Sequence, residues 1–274
     1  MATDRYGVMG YPVSHSRSPV IHRLFALQTG QDLQYELLQV SPEKLEPAVR
    51  QFQRTGGKGL NVTVPHKSAV TRLVDQLSER ASIAGAVNTL SFEGGEILGD
   101  NTDGFGLLRD LVVNHGLNLE GSNILILGAG GATRGIVAPL LEMQPTSLRI
   151  ANRSLGKAQT LAEHFSKSGP VSACRFNVVP VSEPYDLVIN ATSAGLHGEA
   201  PPYPAAAVSD KSFCYDLSYG LKPTPFSVWA REQGAAESVM GWGMLVEQAA
   251  ESFRIWRNVR PNTAEVLKHM KITA

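Results

Sequence analysis

Two rhythms of apolar and polar positions alternate along the first hundred residues. Short apolar or alternating runs at 6–9, 33–40, 59–64 and 86–92 predict strands, and the stretches between them, apolar every three or four positions, predict helices. Ser18-Pro19 supplies a cap and a first-turn proline for a helix running toward Gly30, and residues 42–54 predict another, stopped by Gly56-Gly57. Two helical stretches are expected after Pro65. The turn Glu93-Gly94-Gly95-Glu96 folds the chain back through Ile97-Leu98 as a hairpin, and Asn101-Thr102-Asp103 opens a helix over about 104–115 that would bridge to the second half.

That second half begins with the run Ile124-Leu125-Ile126-Leu127, a buried strand leading into Gly128-Ala129-Gly130-Gly131-Ala132, with a helix-compatible stretch at 135–143 and a further strand at 147–151. Strand, glycine turn, helix and strand at this spacing make a βαβ unit whose loop can cradle a pyrophosphate: glycines let the backbone approach, and the helix N–H groups meet the charge. Thr133 stands where the fingerprint has a small residue, so the loop is a variant. The second strand ends in Ala151-Asn152-Arg153-Ser154 with Lys157 beyond, and carries none of the acids that bind a free ribose 2′-hydroxyl. Arg153 and Lys157 can instead grip a 2′-phosphate, which points to NADP; alternatively Asn152 and Ser154 only cap the next helix and Arg153 is solvated. Strand candidates at 186–190 and 212–216 complete a sheet, residues 200–204 are a proline-rich surface loop, and Gly241-Trp242-Gly243 breaks the pattern. Amphipathic helices at 244–256 and 263–270 could return to the first lobe.

The alternation argues for an α/β fold, and 274 residues for two lobes. Lysine plus arginine and aspartate plus glutamate balance at 25 each, so no global field draws nucleic acid or anionic membrane. Cys174 and Cys214 lie outside any metal or redox spacing, and the seven histidines show no ligand pattern, so no metal is expected. With no apolar signal region at the start and no apolar run near the ~20 residues of a membrane helix, the expected location is the cytoplasm.

Candidate chemistry lies ahead of the glycine loop. Ser16 and Ser18 stand at the mouth of a helix, where a small carboxylate fits, although Ser18 as a simple cap is an equal reading. Asn61 and Thr63 share one face of a strand end, with Lys67 just after; a lone lysine is ordinarily solvated, and Asp103, itself a possible helix cap, is the acid that could partner it. Asn88 adds an amide that both donates and accepts. His15 and His66 tempt as bases, but read as loop or surface histidines. Amides, hydroxyls, one cation and one acid suit a polyhydroxylated acid.

Taken in order, Ser-x-Ser at Ser16 and Ser18, Asn-Val-Thr-x-Pro-x-Lys at Asn61 to Lys67, Gly-Ala-Val-Asn-Thr at Gly85 to Thr89, Asn-Thr-Asp-Gly at Asn101 to Gly104, the glycine loop and Asn152-Arg153 make the chain resemble the shikimate dehydrogenases from about Tyr6 to the final helix. The resemblance implies an N-terminal α/β substrate domain plus a doubly wound, Rossmann-type NADP-binding domain, with C-terminal helices returning to the first: residues 1–104 and 241–274 for the former, 105–240 for the latter. It implies NADP-dependent hydride transfer between shikimate and 3-dehydroshikimate, a step of chorismate and aromatic amino acid biosynthesis. Lys67 and Asp103 would be the catalytic pair. Ser16 and Ser18 would take the substrate carboxylate, with Asn61, Thr63, Asn88, Tyr219 and Gln248 as further substrate contacts. Gly128, Ala129, Gly130, Gly131, Ala132, Asn152, Arg153, Lys157, Thr192, Leu217 and Gly241 would surround the cofactor. Two lobes of this kind imply a cleft that closes, in a monomer or homodimer. A quinate/shikimate dehydrogenase or an aminoshikimate-type relative using NAD is the nearest alternative reading; a noncatalytic NADP-sensing module has no need of both Lys67 and Asp103.

Overall fold

The computed structural model describes residues 3–180, 184–192 and 203–272. The chain divides into two compact units, Met1–Leu107 with Leu245–His269, and Leu108–Met244 with Met270–Ala274.

The first unit carries a six-stranded mixed sheet in the order β2-β1-β3-β5-β6-β4, from β1 (Asp4–Gly10), β2 (Leu33–Gln39), β3 (Gly57–Val62), β4 (Gln76–Leu77), β5 (Thr89–Glu93) and β6 (Glu96–Asp100). β1 runs parallel to β2 and β3, β5 is antiparallel to β3, and β5 and β6 form the expected hairpin. Its register matters for the site: Val8, Asn61, Thr89 and Asp100 fall in one row across four strands. The helices are α1 (Ser18–Thr29), α2 (Leu45–Arg54), α3 (Glu79–Ala84), α4 (Asp103–Leu108) and most of α8 (Trp242–Arg257), followed by α9 (Thr263–Ile272). α2 buries Leu45, Val49 and Phe52, three residues on one helical face, against Leu60, Leu90 and Ile97 of the sheet. Each such side chain contributes about 1.5–3 kcal/mol by leaving water. Gly57 is glycine because a Cβ there would sit 2.2 Å from the Phe52 ring.

The second unit is an all-parallel sheet in the order β12-β11-β10-β7-β8-β9, from β7 (Asn123–Leu127), β8 (Ser147–Asn152), β9 (Val171–Arg175), β10 (Leu187–Asn190), β11 (Phe213–Asp216) and β12 (Glu237–Met240). The helices α5 (Gly131–Glu142), α6 (Leu155–His164) and α7 (Pro225–Glu232) connect them. This is the doubly wound Rossmann order, with its switch point between β7 and β10. Ile124 to Leu127 are fully buried, as a central strand covered on both faces requires. Among the described residues no helix is long and apolar enough to cross a membrane.

Several local expectations are corrected. The first helical stretch after Pro65 is only a 3-10 turn at Val70–Arg72, because the following residues pair with β6 instead: the Asp75 N–H donates to the Ile97 carbonyl, and its carboxylate accepts from the Ile97 N–H. Ser18 does not cap α1; Arg17 holds that position without a side-chain bond. α5 starts at Gly131, four residues early, and α8 starts at Trp242, so Gly243 lies inside a helix rather than in a break. α4 runs on as a π-helical turn, Arg109–Asn114. β9, β12 and α7 were not anticipated. The expected loop at 200–204 lies outside the described residues up to 202.

Beside the first sheet the His22 ring is fully buried, stacked on Tyr35 with centroids 4.2 Å apart and flanked by Phe25, Phe253 and Trp256. Neither ring nitrogen has a hydrogen-bond partner. Burial pushes its pKa down to about 3, with Asn61 acting weakly the other way. Its folded value lies below the unfolded one of 6.5, so on acidification the unfolded chain takes up the proton first. The group's contribution is therefore present above about pH 6.5 and is lost as pH falls toward 3, with about 3 kcal/mol gone near pH 4. Chemical denaturation across this range should show that loss in the wild type and a much flatter profile in His22→Phe; equal slopes would overturn the assignment.

Candidate active site

The ends of β1 and β3 leave the first sheet side by side. The Thr63 N–H donates to the Met9 carbonyl at 2.9 Å, and the Tyr11 N–H to the Val64 carbonyl at 2.9 Å. Gly10 lies so close that a Cβ would meet the Thr63 methyl at 2.4 Å. The loop after β1 therefore starts beside the loop that carries Thr63 and Lys67. In that first loop Ser16 Oγ accepts from the Ser18 N–H at 3.3 Å and donates to Ser18 Oγ at 3.2 Å, which clusters two hydroxyls at the first turn of α1.

Lys67 and Asp103 meet. Lys67 Nζ lies 2.5 Å from Asp103 Oδ2, with the side chains 13% and 4% exposed, so the pair is withdrawn from water. Asp103 is the first residue of α4, and its N–H donates to Asn101 Oδ1 at 3.1 Å, so the side chain that caps the helix is Asn101, while the Asp103 carboxylate stays free of that task. Its other oxygen, Oδ1, accepts from Asn88 Nδ2 at 2.9 Å. The Lys67 carbonyl is itself bonded by the Val87 N–H at 2.8 Å, which ties the lysine's backbone to the segment before β5.

Gln248, on α8, faces the same group: its Oε1 lies 3.2 Å from Asn88 Nδ2. Gly106 makes this approach possible, since a Cβ there would fall 2.6 Å from the Gln248 backbone nitrogen. Asn61 is turned inward. Its Oδ1 accepts from the Tyr35 hydroxyl at 2.7 Å, and its Nδ2 faces the Asn88 carbonyl, Thr89 Oγ1 and Ser252 Oγ at 2.9–3.2 Å. Thr89 and Ser252 are both fully buried; Thr89 closes the Gly85 to Thr89 motif without being singled out as a site residue, and Ser252 had no signal beyond the phase of α8, where it is one turn past Gln248. His66, expected to be a loop or surface histidine, does lie in a loop but is buried, its Nε2 2.7 Å from the Val40 carbonyl. His15 is exposed.

In the second unit the glycine loop closes at the end of β7. Gly128 adopts φ +112°, a backbone that side chains resist, and a Cβ would lie 2.9 Å from the Ala191 carbonyl carbon. Buried Thr133 donates from Oγ1 to the Gly128 carbonyl at 2.9 Å, so the departure from the fingerprint is a hydrogen bond that ties α5 back to the loop. No side chain caps α5 and its first turn has no acid, leaving the N–H groups behind Ala129, Gly130, Gly131 and Ala132 for an anion. Asn152 Nδ2 donates to the Ser154 carbonyl at 3.0 Å; Ser154 sits at the N-cap of α6 without a side-chain bond. Arg153 and Lys157 are exposed, and their side chains make no ion pair among the described residues. Thr192 donates to Asn190 Oδ1 at 2.7 Å, just after β10; Ser193 lies outside the described residues. Past β11, Gly241 packs on the Leu217 carbonyl, 2.6 Å from where a Cβ would be, and its N–H donates to the Ser218 carbonyl at 3.0 Å. Tyr219 lies half-buried with its ring 4.8 Å from that of Trp242. Gly128, Thr192, Leu217 and Gly241 thus follow β7, β10, β11 and β12 at one edge of the sheet, where doubly wound folds bind ligands. Among the described residues no group of histidine, cysteine and acid could hold a metal.

Strand order and glycine loop define the class, a dinucleotide-binding α/β protein of the Rossmann type. Family models extend this along most of the chain: a shikimate dehydrogenase substrate-binding domain matches residues 8–90, shikimate/quinate 5-dehydrogenase residues 110–197, and a shikimate 5-dehydrogenase C-terminal domain residues 241–271. The chain belongs to the shikimate dehydrogenase family. It is 54% identical to the shikimate dehydrogenase (NADP(+)) of Alkalilimnicola ehrlichii over 98% of this chain and 99% of that one, and 54% identical to that of Methylococcus capsulatus over 98% and 96%. The crystal structure of Thermus thermophilus shikimate 5-dehydrogenase in complex with NADP(H) and shikimate superposes with a TM-score of 0.87 at 30% identity, covering 99% of this chain and 100% of that one.

Gly128→Ala places a side chain in the left-handed region and against the Ala191 backbone. It should cost upward of 1 kcal/mol of stability and weaken binding of the dinucleotide, read by thermal unfolding and calorimetric titration with NADP; wild-type values in both would refute the loop geometry.

Proposed function

We propose that the chain catalyses reversible, NADP-dependent hydride transfer between shikimate and 3-dehydroshikimate. The observation that carries the proposal is the buried contact between Lys67 and Asp103 in a unit that belongs to the shikimate dehydrogenase family, with a dinucleotide loop in the other unit. The residues fit the cofactor: the glycine at 128 leaves open the backbone approach that a Cβ would block, the α5 N-terminus is uncapped, and Arg153 with Lys157 offers unpaired positive charge to a 2′-phosphate. When bound, the nicotinamide supplies a two-electron hydride acceptor or donor.

The chain's own residues then bind, orient and handle the proton. Ser16 and Ser18 hold the substrate carboxylate by their hydroxyls, and Thr63, Asn88, Gln248 and Tyr219 read the ring. In the oxidation direction the reacting C–H leaves as hydride while the hydroxyl proton passes to the Lys67–Asp103 pair; in reduction the pair returns it to the carbonyl oxygen. Asp103 holds the lysine through Oδ2 and is itself held through Oδ1 by Asn88, so the ammonium is aimed rather than free to swing. The proton belongs to the coupled pair rather than to one residue. Arg153 without a neighbouring acid favours NADP over NAD, and the retained Ser16, Ser18, Lys67 and Asp103 favour an acid substrate over a sensor role.

An absorbance assay of reduced nicotinamide, run with NADP or NAD against shikimate or quinate, tests the reading. Turnover should be highest for NADP with shikimate; a faster quinate or NAD reaction replaces the substrate or cofactor assignment, and no turnover with any pairing sinks the enzyme. Lys67→Ala and Asp103→Asn should each lower kcat about a hundredfold or more while NADP still binds; a near-normal rate with weakened substrate binding alone would remove the pair from the chemistry.

A further inference from the structure

Behind the Lys67–Asp103 pair lies a buried web of side chains whose amide orientations can be assigned by counting. The Thr102 backbone N–H, a donor only, faces Asn88 Oδ1 at 2.8 Å, so that end of the amide is the oxygen. The amino end then faces Asp103 Oδ1 and Thr102 Oγ1 at 2.9 Å each. Thr89 Oγ1 stands 2.9 Å from Asn88 Oδ1, placed to donate to it. Asn61 is oriented by the same logic, because the Asn88 backbone carbonyl, an acceptor only, faces its Nδ2 at 3.2 Å. Its Oδ1 therefore accepts from Tyr35, and its second amide proton goes to Ser252 Oγ at 2.9 Å. Ser252 Oγ lies 2.8 Å from Thr89 Oγ1, a contact in which either hydroxyl can donate, and it also faces the Gln248 carbonyl at 3.1 Å.

A continuous run of hydrogen bonds thus joins Tyr35, Asn61, Ser252, Thr89, Asn88 and Asp103, with Lys67 donating to the other carboxylate oxygen. Thr89, Ser252 and Asn61 are 0%, 0% and 6% exposed, so the web is withdrawn from water, and hydrogen bonds linked in this way strengthen one another. We infer that Thr89 and Ser252 are positioning residues for the reaction: they hold the Asn88 amide with its hydrogens toward Asp103, which keeps Oδ2 turned to Lys67. Neither needs to touch the substrate. The inference rests on the proposed role of Lys67 and Asp103, and extends it to two residues deep in the unit.

Thr89→Val keeps the shape and removes the hydroxyl. It should lower kcat about tenfold, the worth of one buried hydrogen bond, with the shikimate KM within about twofold of wild type. Thr89→Ser should restore kcat to within about twofold, and Ser252→Ala should fall in the same direction as Thr89→Val. A loss of stability alone would move thermal unfolding but not the split between kcat and KM. Wild-type kcat in both Thr89→Val and Ser252→Ala would overturn the inference, as would failure of Thr89→Ser to restore the rate. If Thr89→Val does not fold, Ser252→Ala alone decides, by the same split. Lys67→Ala and Asp103→Asn are run alongside. If they keep turnover, the proposed pair fails and the inference with it; if they abolish turnover while Thr89→Val and Ser252→Ala are normal, only the inference fails.

Discussion

A lysine and an aspartate held 2.5 Å apart and almost out of water set the terms for the rest of the first unit. Withdrawing both charges costs several kcal/mol apiece, and their attraction offsets this only when the geometry is good and the remaining lone pairs are bonded. The fold meets each condition locally. The row of Asn61, Thr89 and Asp100 across three strands brings the end of β3, the start of β5 and the start of α4 to one spot. Asn101 takes over the capping of α4, and Asn88 satisfies Asp103 Oδ1. Remove Asn88 and the Asp103 carboxylate is left buried with an empty bond; remove Asn101 and the Asp103 N–H loses its partner.

The same economy explains why the last helices return to this unit. α8 brings Gln248 and Ser252 to the web, and it is fixed there by charge: Arg80 bridges Asp100 and Glu251, while Arg260 reaches both Glu247 and Glu251 and stacks over Phe105. Burial alone would raise the Asp100 and Glu251 carboxyls; bonds from Arg80 and Ser78 to the first, and from Arg254 and Arg80 to the second, reverse that and hold both below the usual carboxylate range. By the sign of that shift these pairs stabilise the unit above the ordinary carboxylate pKa and weaken only in acid. Asp100 also accepts from the Asn101 N–H at 2.6 Å, so the lock on α8 and the cap of α4 share one carboxylate.

How much of this could be read in advance depended on whether the signal was local. The glycine loop, the buried β7 strand, the hairpin and the short motifs around Ser16, Asn61 to Lys67, Asn88 and Asp103 are each carried by spacing within a dozen residues, and each was legible. The edge strands β9 and β12 were not, because Val-Ser-Ala-Cys-Arg and Glu-Ser-Val-Met mix polar and apolar positions without a clean period. The turn at Val70–Arg72 lost its helix to pairing with β6, a tertiary competition that no local pattern records. Thr89 and Ser252 look like any strand threonine and helix serine, 163 positions apart, until the register places them 2.8 Å from one another. The burial of His66 within its loop escapes the local pattern for the same reason: its partner is a backbone carbonyl 26 residues earlier.

The second unit solves a related problem with backbone rather than charge. Fully buried Tyr215 donates to Asp110 Oδ2 at 2.6 Å and accepts from the Met244 N–H at 3.1 Å, and burial and the neighbouring carboxylate both raise its pKa, so the phenol keeps the proton it donates. Gly243 lies against that carboxylate, where a Cβ would be 1.9 Å from Asp110 Oδ1. These contacts pin the turn at Gly241 down on the Leu217 carbonyl, as Gly128 is pinned against Ala191. Both turns therefore present bare backbone at the end of the sheet, and both depend on glycine for closeness, Gly128 for its φ of +112° as well. A fold that brings main chain against a flat, charged ligand gains more from two closely packed turns than from any added side chain, and Arg153 and Lys157 sit beyond the loop and not within it.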